Sequence, residues 1–65
     1  MRPLERWMSE KQMRNEDLAP RVGVSRVQIH RIRTGQNSPS LKTARKLAEI
    51  TKLPLDVLLL NEEAA

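Results

Sequence analysis

The sequence has no cysteine, no tyrosine and no phenylalanine, and it contains one tryptophan and one histidine. Without cysteine it can form no disulfide, no thiolate metal site and no cysteine nucleophile, a usage that fits a reducing compartment. Because His30 is the one imidazole, no histidine cluster can hold a metal. We therefore expect neither a metal nor a cofactor.

Long apolar segments are also missing. The longest uninterrupted apolar run is Val57–Leu60, far too short to cross a membrane, and residues 1–6 contain no apolar signal core. A chain of 65 residues has room for one small hydrophobic core. We expect a soluble, intracellular, single domain spanning residues 1–65.

Acidic residues are absent between Leu18 and Ala48, although the whole chain has 8 of them against 12 Lys and Arg and a net charge of +4. From Glu49 onward the sequence turns acidic. This segregation concentrates positive potential on the middle of the domain, where a polyanion could dock; a solvated charged surface is the alternative. The cations of the acid-free stretch are Arg21, Arg26, Arg31, Arg33, Lys42, Arg45 and Lys46.

Apolar residues recur with helical spacing, and no alternating strand pattern is found. We predict an all-α fold, a compact bundle of five short helices. Asn15, Ser25 and Ser40 are the expected N-caps of the second, third and fourth helices, and Gly23 is expected to end the second. The predicted helices span about residues 3–14, 15–22, 25–34, 40–51 and 54–60, followed by a tail at 61–65.

The third helix has two chemically different sides. Helical spacing turns Ile29 and Ile32 inward and leaves Val27 outside, among cationic and polar groups. A helix of this size fits the DNA major groove, where arginine can bind guanine and an apolar group can meet a thymine methyl. Considered alone, this helix could equally be a charged surface helix. The side chains opposite the isoleucines are those of Val27, His30, Arg31 and Thr34.

The apolar positions around this helix fall where a helix-turn-helix needs them, with the small Ala19 at the expected helix crossing and Gly23 at the turn. The segments LAPRVGVSRVQIHRIRTG, PSLKTARKLAEI and LPLDVLL resemble the lambda repressor/Cro-like (XRE-type) helix-turn-helix family of phage and bacterial regulators. The resemblance runs from about Leu4 to Leu60.

The resemblance implies that helices 2 and 3 form the helix-turn-helix and that the third helix enters the major groove. The implied base contacts are Ser25, Arg26, Val27 and Arg31. The implied phosphate contacts are Asn15, His30, Arg33, Thr34, Gln36, Asn37, Ser38 and Ser40.

The sequence departs from the family pattern in several places. Where the family often pairs an arginine of the first helix with an acid of the third, Met8 and Arg33 stand, so we expect no ion pair and an Arg33 free to add charge near the DNA backbone. Pro20 inside the second helix is expected to cost up to about 3 kcal/mol and to shorten the helix. Thr51 and Lys52 replace the usual Leu-Gly, so the fourth helix should fray or close differently.

The last predicted helix is apolar on more sides than one core can cover. Leu58 is expected to face the core, while Val57 and Leu60 are left for a dimer interface, because exposed apolar patches mark association sites. The resembled family commonly joins two subunits here. We expect a homodimer, at least on DNA.

Two function classes remain open. The first is a sequence-specific, double-stranded DNA-binding transcriptional regulator in the bacterial cytoplasm or nucleoid, a repressor that occludes a promoter at an approximately palindromic operator. The alternative is a protein-interaction module, such as an antitoxin-like domain. An enzyme is not expected, because no catalytic constellation is present, and no small-molecule ligand is expected, because there is no second domain to sense one.

Overall fold

The fold was obtained as a computed structural model, which describes residues 1–62. Over that part the chain forms five α-helices and no strand, so the all-α prediction is confirmed. Residues 63–65 of the expected tail lie outside the described part. The helices are α1 (Pro3–Glu10), α2 (Asn15–Val22), α3 (Arg26–Arg33), α4 (Leu41–Thr51) and α5 (Leu55–Leu60).

All five helices contribute apolar side chains to one core, because each helix has apolar residues on the side that faces the other helices. α2 packs chiefly against α3, and α4 packs chiefly against α5, while α1 contacts both α3 and α5. The buried apolar side chains are Leu4, Met8, Leu18, Ala19, Val22, Ile29, Ile32, Ala44, Leu47 and Leu58.

The first helix ends at Glu10, so its expected continuation to Arg14 is wrong. Gln12 takes a left-handed conformation with φ of 53°, which turns the chain out of the helix. The turn closes where the Met13 N–H donates to the Met8 carbonyl at 2.9 Å. Neither glycine nor proline marks this turn in the sequence, which is why the helical pattern was extended too far.

The second helix begins one residue earlier than its expected cap implies. Arg14, not Asn15, is the N-cap, and its backbone N–H donates to the Asp17 carboxylate at 3.1 Å. That hydrogen bond, together with the Arg14 side chain, holds the pKa of Asp17 below its ordinary value. Pro20 lies on the exposed side of α2, and the helix continues to Val22, so the expected shortening is wrong.

The fourth helix closes differently from a Leu-Gly end, as expected. Lys52 takes the left-handed conformation itself, with φ of 64°. The Thr51 hydroxyl donates to the Leu47 carbonyl at 2.7 Å and accepts from the Leu53 N–H at 3.2 Å. The threonine side chain therefore gives the Leu53 N–H, just beyond the helix, a hydrogen-bond partner.

A buried asparagine joins the end of α5 to α1 and α3. Asn61 is 4% exposed and donates from Nδ2 to the Ile32 carbonyl at 2.8 Å, while its Oδ1 faces the Leu4 N–H at 3.4 Å. Its own carbonyl accepts from Arg2 Nη1 at 2.8 Å. The expectation that Asn61 opens a tail at 61–65 is therefore wrong: it is a structural residue of the bundle.

Candidate nucleic-acid interface

The turn between α2 and α3 is short and defined by two residues. Gly23 ends α2 with φ of 81°, and its N–H donates to the Ala19 carbonyl at 2.9 Å. A Cβ at this glycine would meet no atom within 4 Å, so it is the left-handed backbone, not lack of space, that favours glycine. Ser25 then caps α3, accepting from the Gln28 N–H at 3.1 Å, as predicted.

The two sides of α3 differ as the sequence predicts. Ile29 and Ile32 are 0% and 1% exposed and belong to the core. Val27 is 51% exposed, although burying a valine side chain would stabilise the folded protein. A single exposed valine is common on protein surfaces. Here it adds an apolar group to a side of α3 whose other exposed side chains are polar or cationic.

The predicted base-contact residues lie at the start and on the outer side of α3. Ser25, Arg26, Val27 and Arg31 are all exposed, and so is His30. Within residues 1–62, the side chains of Arg26, His30 and Arg31 make no hydrogen bond and no ion pair. Their donors are therefore available to a molecule that lies along this side of the helix.

Contrary to expectation, Arg33 at the end of α3 forms an ion pair with the first helix. Arg33 binds the carboxylate of Glu5 on α1 in a two-pronged contact, with Nη2 donating to Oε1 at 2.7 Å. Its Nη1 donates to Oδ1 of Asn15 at 2.7 Å. The expectation of an unpaired Arg33, free to add charge near DNA, is wrong, because the cation is on α3 and the acid on α1, one turn before Met8.

This ion pair is largely shielded from water. The side chains of Arg33 and Glu5 are only 20% and 28% exposed. Hydrogen bonding from Arg33 holds the pKa of Glu5 below its ordinary value, and the same contact raises the pKa of Arg33. Both groups therefore stay charged in the folded protein at neutral pH.

The segment after α3 folds back on the end of the helix. The Gln36 and Asn37 N–H groups donate to the Arg31 carbonyl at 2.8 and 3.1 Å, and the Thr34 hydroxyl donates to the His30 carbonyl at 2.9 Å. These bonds fix the loop while leaving its side chains on the surface. The exposed loop residues from the predicted phosphate set are Thr34, Gln36, Asn37 and Ser38.

The start of α4, which follows this loop in the sequence, offers backbone N–H donors. The Ser40 hydroxyl caps the helix by accepting from the Thr43 N–H at 3.2 Å, and the Ser40 carbonyl accepts from the Ala44 N–H at 2.8 Å. The N–H groups of Leu41 and Lys42 are left without helical partners. Together with the positive end of the helix dipole, they favour an anion.

Comparison with known proteins agrees with this geometry. A family model described as Helix-turn-helix matches residues 4–58, which is most of the chain. The chain belongs to the XRE/Cro-like helix-turn-helix family. This is a family of DNA-binding transcription regulators. No curated protein and no solved structure matches the chain.

The last helix of this helix-turn-helix protein has an apolar outer side. Leu58 is 1% exposed and faces the core, as predicted. Leu60 is 65% exposed, and Val57 is partly buried at the edge of a groove between α1 and α5. The groove is lined by Met1, Pro3, Arg6, Trp7, Glu10, Leu53 and Val57.

Two features of this helix-turn-helix protein were not singled out from its sequence. The family pattern places an arginine on the first helix and an acid on the third, so it does not point to Glu5. Here the two charges are exchanged, and a search for an acid on the first helix opposite Arg33 would have found Glu5. Lys42 and Arg45 project from the exposed side of α4 and belong to the acid-free stretch, whose charge pattern was the available signal.

The described residues of this helix-turn-helix protein contain neither a candidate metal-binding cluster nor a membrane-spanning helix. Residues 1–62 contain no group of three or more His, Asp or Glu side chains placed to hold a metal ion. No helix in that part is both long and apolar enough to cross a lipid bilayer.

Proposed function

We propose that this helix-turn-helix protein is a sequence-specific repressor of the Cro type that binds double-stranded DNA as a homodimer. α3 lies in the major groove of an approximately palindromic operator, and the bound protein occludes a promoter. The observation that carries the proposal is the outward Val27, flanked by uncommitted Arg26 and Arg31, on a helix whose isoleucines are buried. The proposal includes a location in the bacterial cytoplasm or nucleoid, where such an operator would lie.

Base recognition is assigned to the start and outer side of α3. Arg26 and Arg31 each carry a guanidinium that can donate two hydrogen bonds to guanine, and Val27 can pack on a thymine methyl. Ser25 lies at the end that enters the groove first, although its hydroxyl already caps the helix. We therefore assign most of the sequence discrimination to Arg26, Val27 and Arg31.

Phosphate contacts fix the position of α3 on the duplex. The exposed side chains of His30, Thr34, Gln36, Asn37 and Ser38 lie in the last turn of α3 and in the residues that follow it. Asn15 contributes at the start of α2. Ser40 contributes through the helix that it caps, whose open N–H groups suit a phosphate. Arg33 is given no direct phosphate contact, because Glu5 and Asn15 already occupy its donors.

The dimer is assigned to α5. Leu60, at 65% exposure, and Val57, at the edge of the groove between α1 and α5, give an apolar patch that a second copy can cover by a two-fold contact. The rim of the groove carries both signs of charge, Arg6 and Glu10, which form an ion pair at 4.0 Å. Because the rim carries both charges, the rims of two identical copies can pair opposite charges across a two-fold axis.

Selection from random double-stranded DNA tests the proposal. We expect enrichment of two inverted half-sites whose centres lie about one helical turn, 10–10.5 base pairs, apart. If each subunit neutralises about four phosphates, the dimer's affinity should fall with salt with a logarithmic slope near −7. Loss of transcription from a promoter that overlaps the selected site would establish repression.

Enrichment of no DNA at moderate salt would overturn the proposal. Co-purification with a protein partner under the same conditions would instead favour the interaction-module alternative. A selected single half-site, with no inverted copy, would leave DNA binding in place but contradict the dimer.

A further inference from the structure

The guanidinium of Arg33 contacts side chains from two other helices. It binds Glu5 of α1 through Nε and Nη2 and Asn15 of α2 through Nη1. The contact with Glu5 neutralises its charge, and at 20% exposure little of its side chain is open to solvent. Arg33 is therefore poorly placed to meet a phosphate but well placed to hold Asn15.

The contact decides which end of the Asn15 amide is available. A guanidinium has only donors, so the amide oxygen must face Arg33, and the distance from Nη1 to Oδ1 is 2.7 Å. The Nδ2 group is then left as the free end of the side chain, with two donors. A donor is what a phosphate oxygen requires, and Asn15 lies at the start of α2, where the helix dipole also favours an anion.

We propose that Arg33 is a positioning residue for DNA binding: it orients the Asn15 amide so that Nδ2 donates to a phosphate, without touching the DNA itself. This inference rests on the proposed DNA-binding function and adds to it how one phosphate contact is set. The planar fork of arginine is essential, because one side chain must reach Glu5 and Asn15 at once.

A double-variant cycle with the selected operator tests the link. Asn15→Ala should lower affinity about tenfold for each half-site, the effect of one hydrogen bond to a charged group. Arg33→Lys keeps the charge and can still pair with Glu5, but it has no second arm for Asn15, so it should lower affinity to a similar extent. The double variant should bind no more weakly than Asn15→Ala alone, whereas independent roles would multiply the two losses to about 100-fold for each half-site.

The salt dependence separates positioning from direct contact. If Arg33 touched a phosphate in each subunit of the dimer, Arg33→Gln would make the slope of log affinity against log salt shallower by about 1.8. Positioning through the uncharged Asn15 predicts the same slope as in a control with an equal charge change, Lys11→Gln, whose side chain is exposed at the end of α1. A slope that is shallower by about 1.8 than in this control would overturn the inference.

A measurement without DNA distinguishes failure of this inference from failure of the proposed function. In the free protein, nitrogen-15 NMR should show the Asn15 side-chain NH2 signals shifted by Arg33→Lys, while thermal unfolding stays close to that of the parent. Unshifted Asn15 signals would overturn the positioning role whatever the DNA experiments show. Shifted signals combined with multiplicative affinity losses would also overturn it, since the amide would then be held without serving the contact.

Discussion

The two ends of α3 are treated differently by the rest of the molecule. At its end, the Ile32 carbonyl accepts a hydrogen bond from Asn61, the residue that ends α5. The Arg33 side chain there binds Glu5 and Asn15. At its start and one turn later, the side chains of Arg26 and Arg31 make no hydrogen bond and no ion pair within residues 1–62. One end is anchored to α1, α2 and the end of α5, and the other presents its side chains to solvent.

This difference shows how a domain of this size can keep a recognition helix rigid. A side chain that reads DNA must be free of internal partners, yet the helix that carries it has to be held within a small tolerance. Placing the polar anchors at one end and the reading side chains at the other satisfies both needs. The following variants test this division, from the largest expected effect to the smallest.

Removing the buried anchor should have the largest effect. Asn61→Ala leaves the Ile32 carbonyl and the Leu4 N–H without their buried partner, and it places alanine at a φ of 44°. We expect the free energy of unfolding to fall by about 2–3 kcal/mol, measured by urea denaturation. Asn37→Ala, at an exposed loop position, is the control and should change it by less than about 0.5 kcal/mol. Equal effects of the two variants would contradict the anchoring role.

At the free side of the helix, the effect should appear in binding and not in stability. Arg31→Ala should relax specificity at one base pair of each half-site, at a cost of about 1–3 kcal/mol, with unfolding nearly unchanged. Selection from random DNA with the parent and the variant measures the change. The same consensus from both proteins would show that Arg31 does not read a base.

The ion pair at the anchored end should contribute less than Asn61, because its groups retain some contact with water. Glu5→Gln should lower the free energy of unfolding by about 1 kcal/mol at neutral pH. Since folding lowers the pKa of Glu5 from 4.5, its stabilisation is present above that value and is lost as the pH falls through the lower folded value.

The difference between parent and Glu5→Gln should therefore vanish in acid. Urea titrations from pH 7 downward measure it. Glu10→Gln, which removes the acid of an exposed pair with Arg6, serves as the control and should show a smaller difference throughout. A Glu5→Gln difference that persists below the folded pKa would mean that the carboxylate charge is not what stabilises this end.

The smallest effect is expected at Val27. Val27→Ala should leave stability within about 0.5 kcal/mol, because half of the side chain is already exposed, and should weaken binding by about 0.5–1 kcal/mol. Replacing each operator thymine in turn by deoxyuracil, which lacks the methyl group, tests the contact. One replacement should weaken the parent and leave the variant unaffected. If both proteins respond alike at every position, Val27 does not contact a thymine methyl.

The sequence was sufficient wherever local periodicity decides the structure. Ile29 and Ile32 face inward and Val27 outward because residues three apart share a side of a helix. The serines at 25 and 40 cap their helices because a hydroxyl there satisfies an open N–H. The base and phosphate contacts built on this geometry stay predictions.

Contacts between distant positions could not be read in the same way. Glu5 and Arg33 are far apart in sequence, and no periodic signal joins them. Asn61 follows the last leucine, so the sequence pattern predicts that a tail begins there. The one local sign of a structural role is its place just beyond a helix, where asparagine tolerates the left-handed conformation. The end of α1 was missed for a related reason, because the packing of the chain, not a glycine, turns Gln12.

The position of Trp7 has a practical consequence. Its indole lies partly buried in the groove between α1 and α5, beside Val57, and the chain has neither tyrosine nor phenylalanine. Intrinsic fluorescence therefore comes from one ring at one place. If a second copy covers the groove, the emission should shift to shorter wavelength as the protein is concentrated, so self-association can be followed without any label.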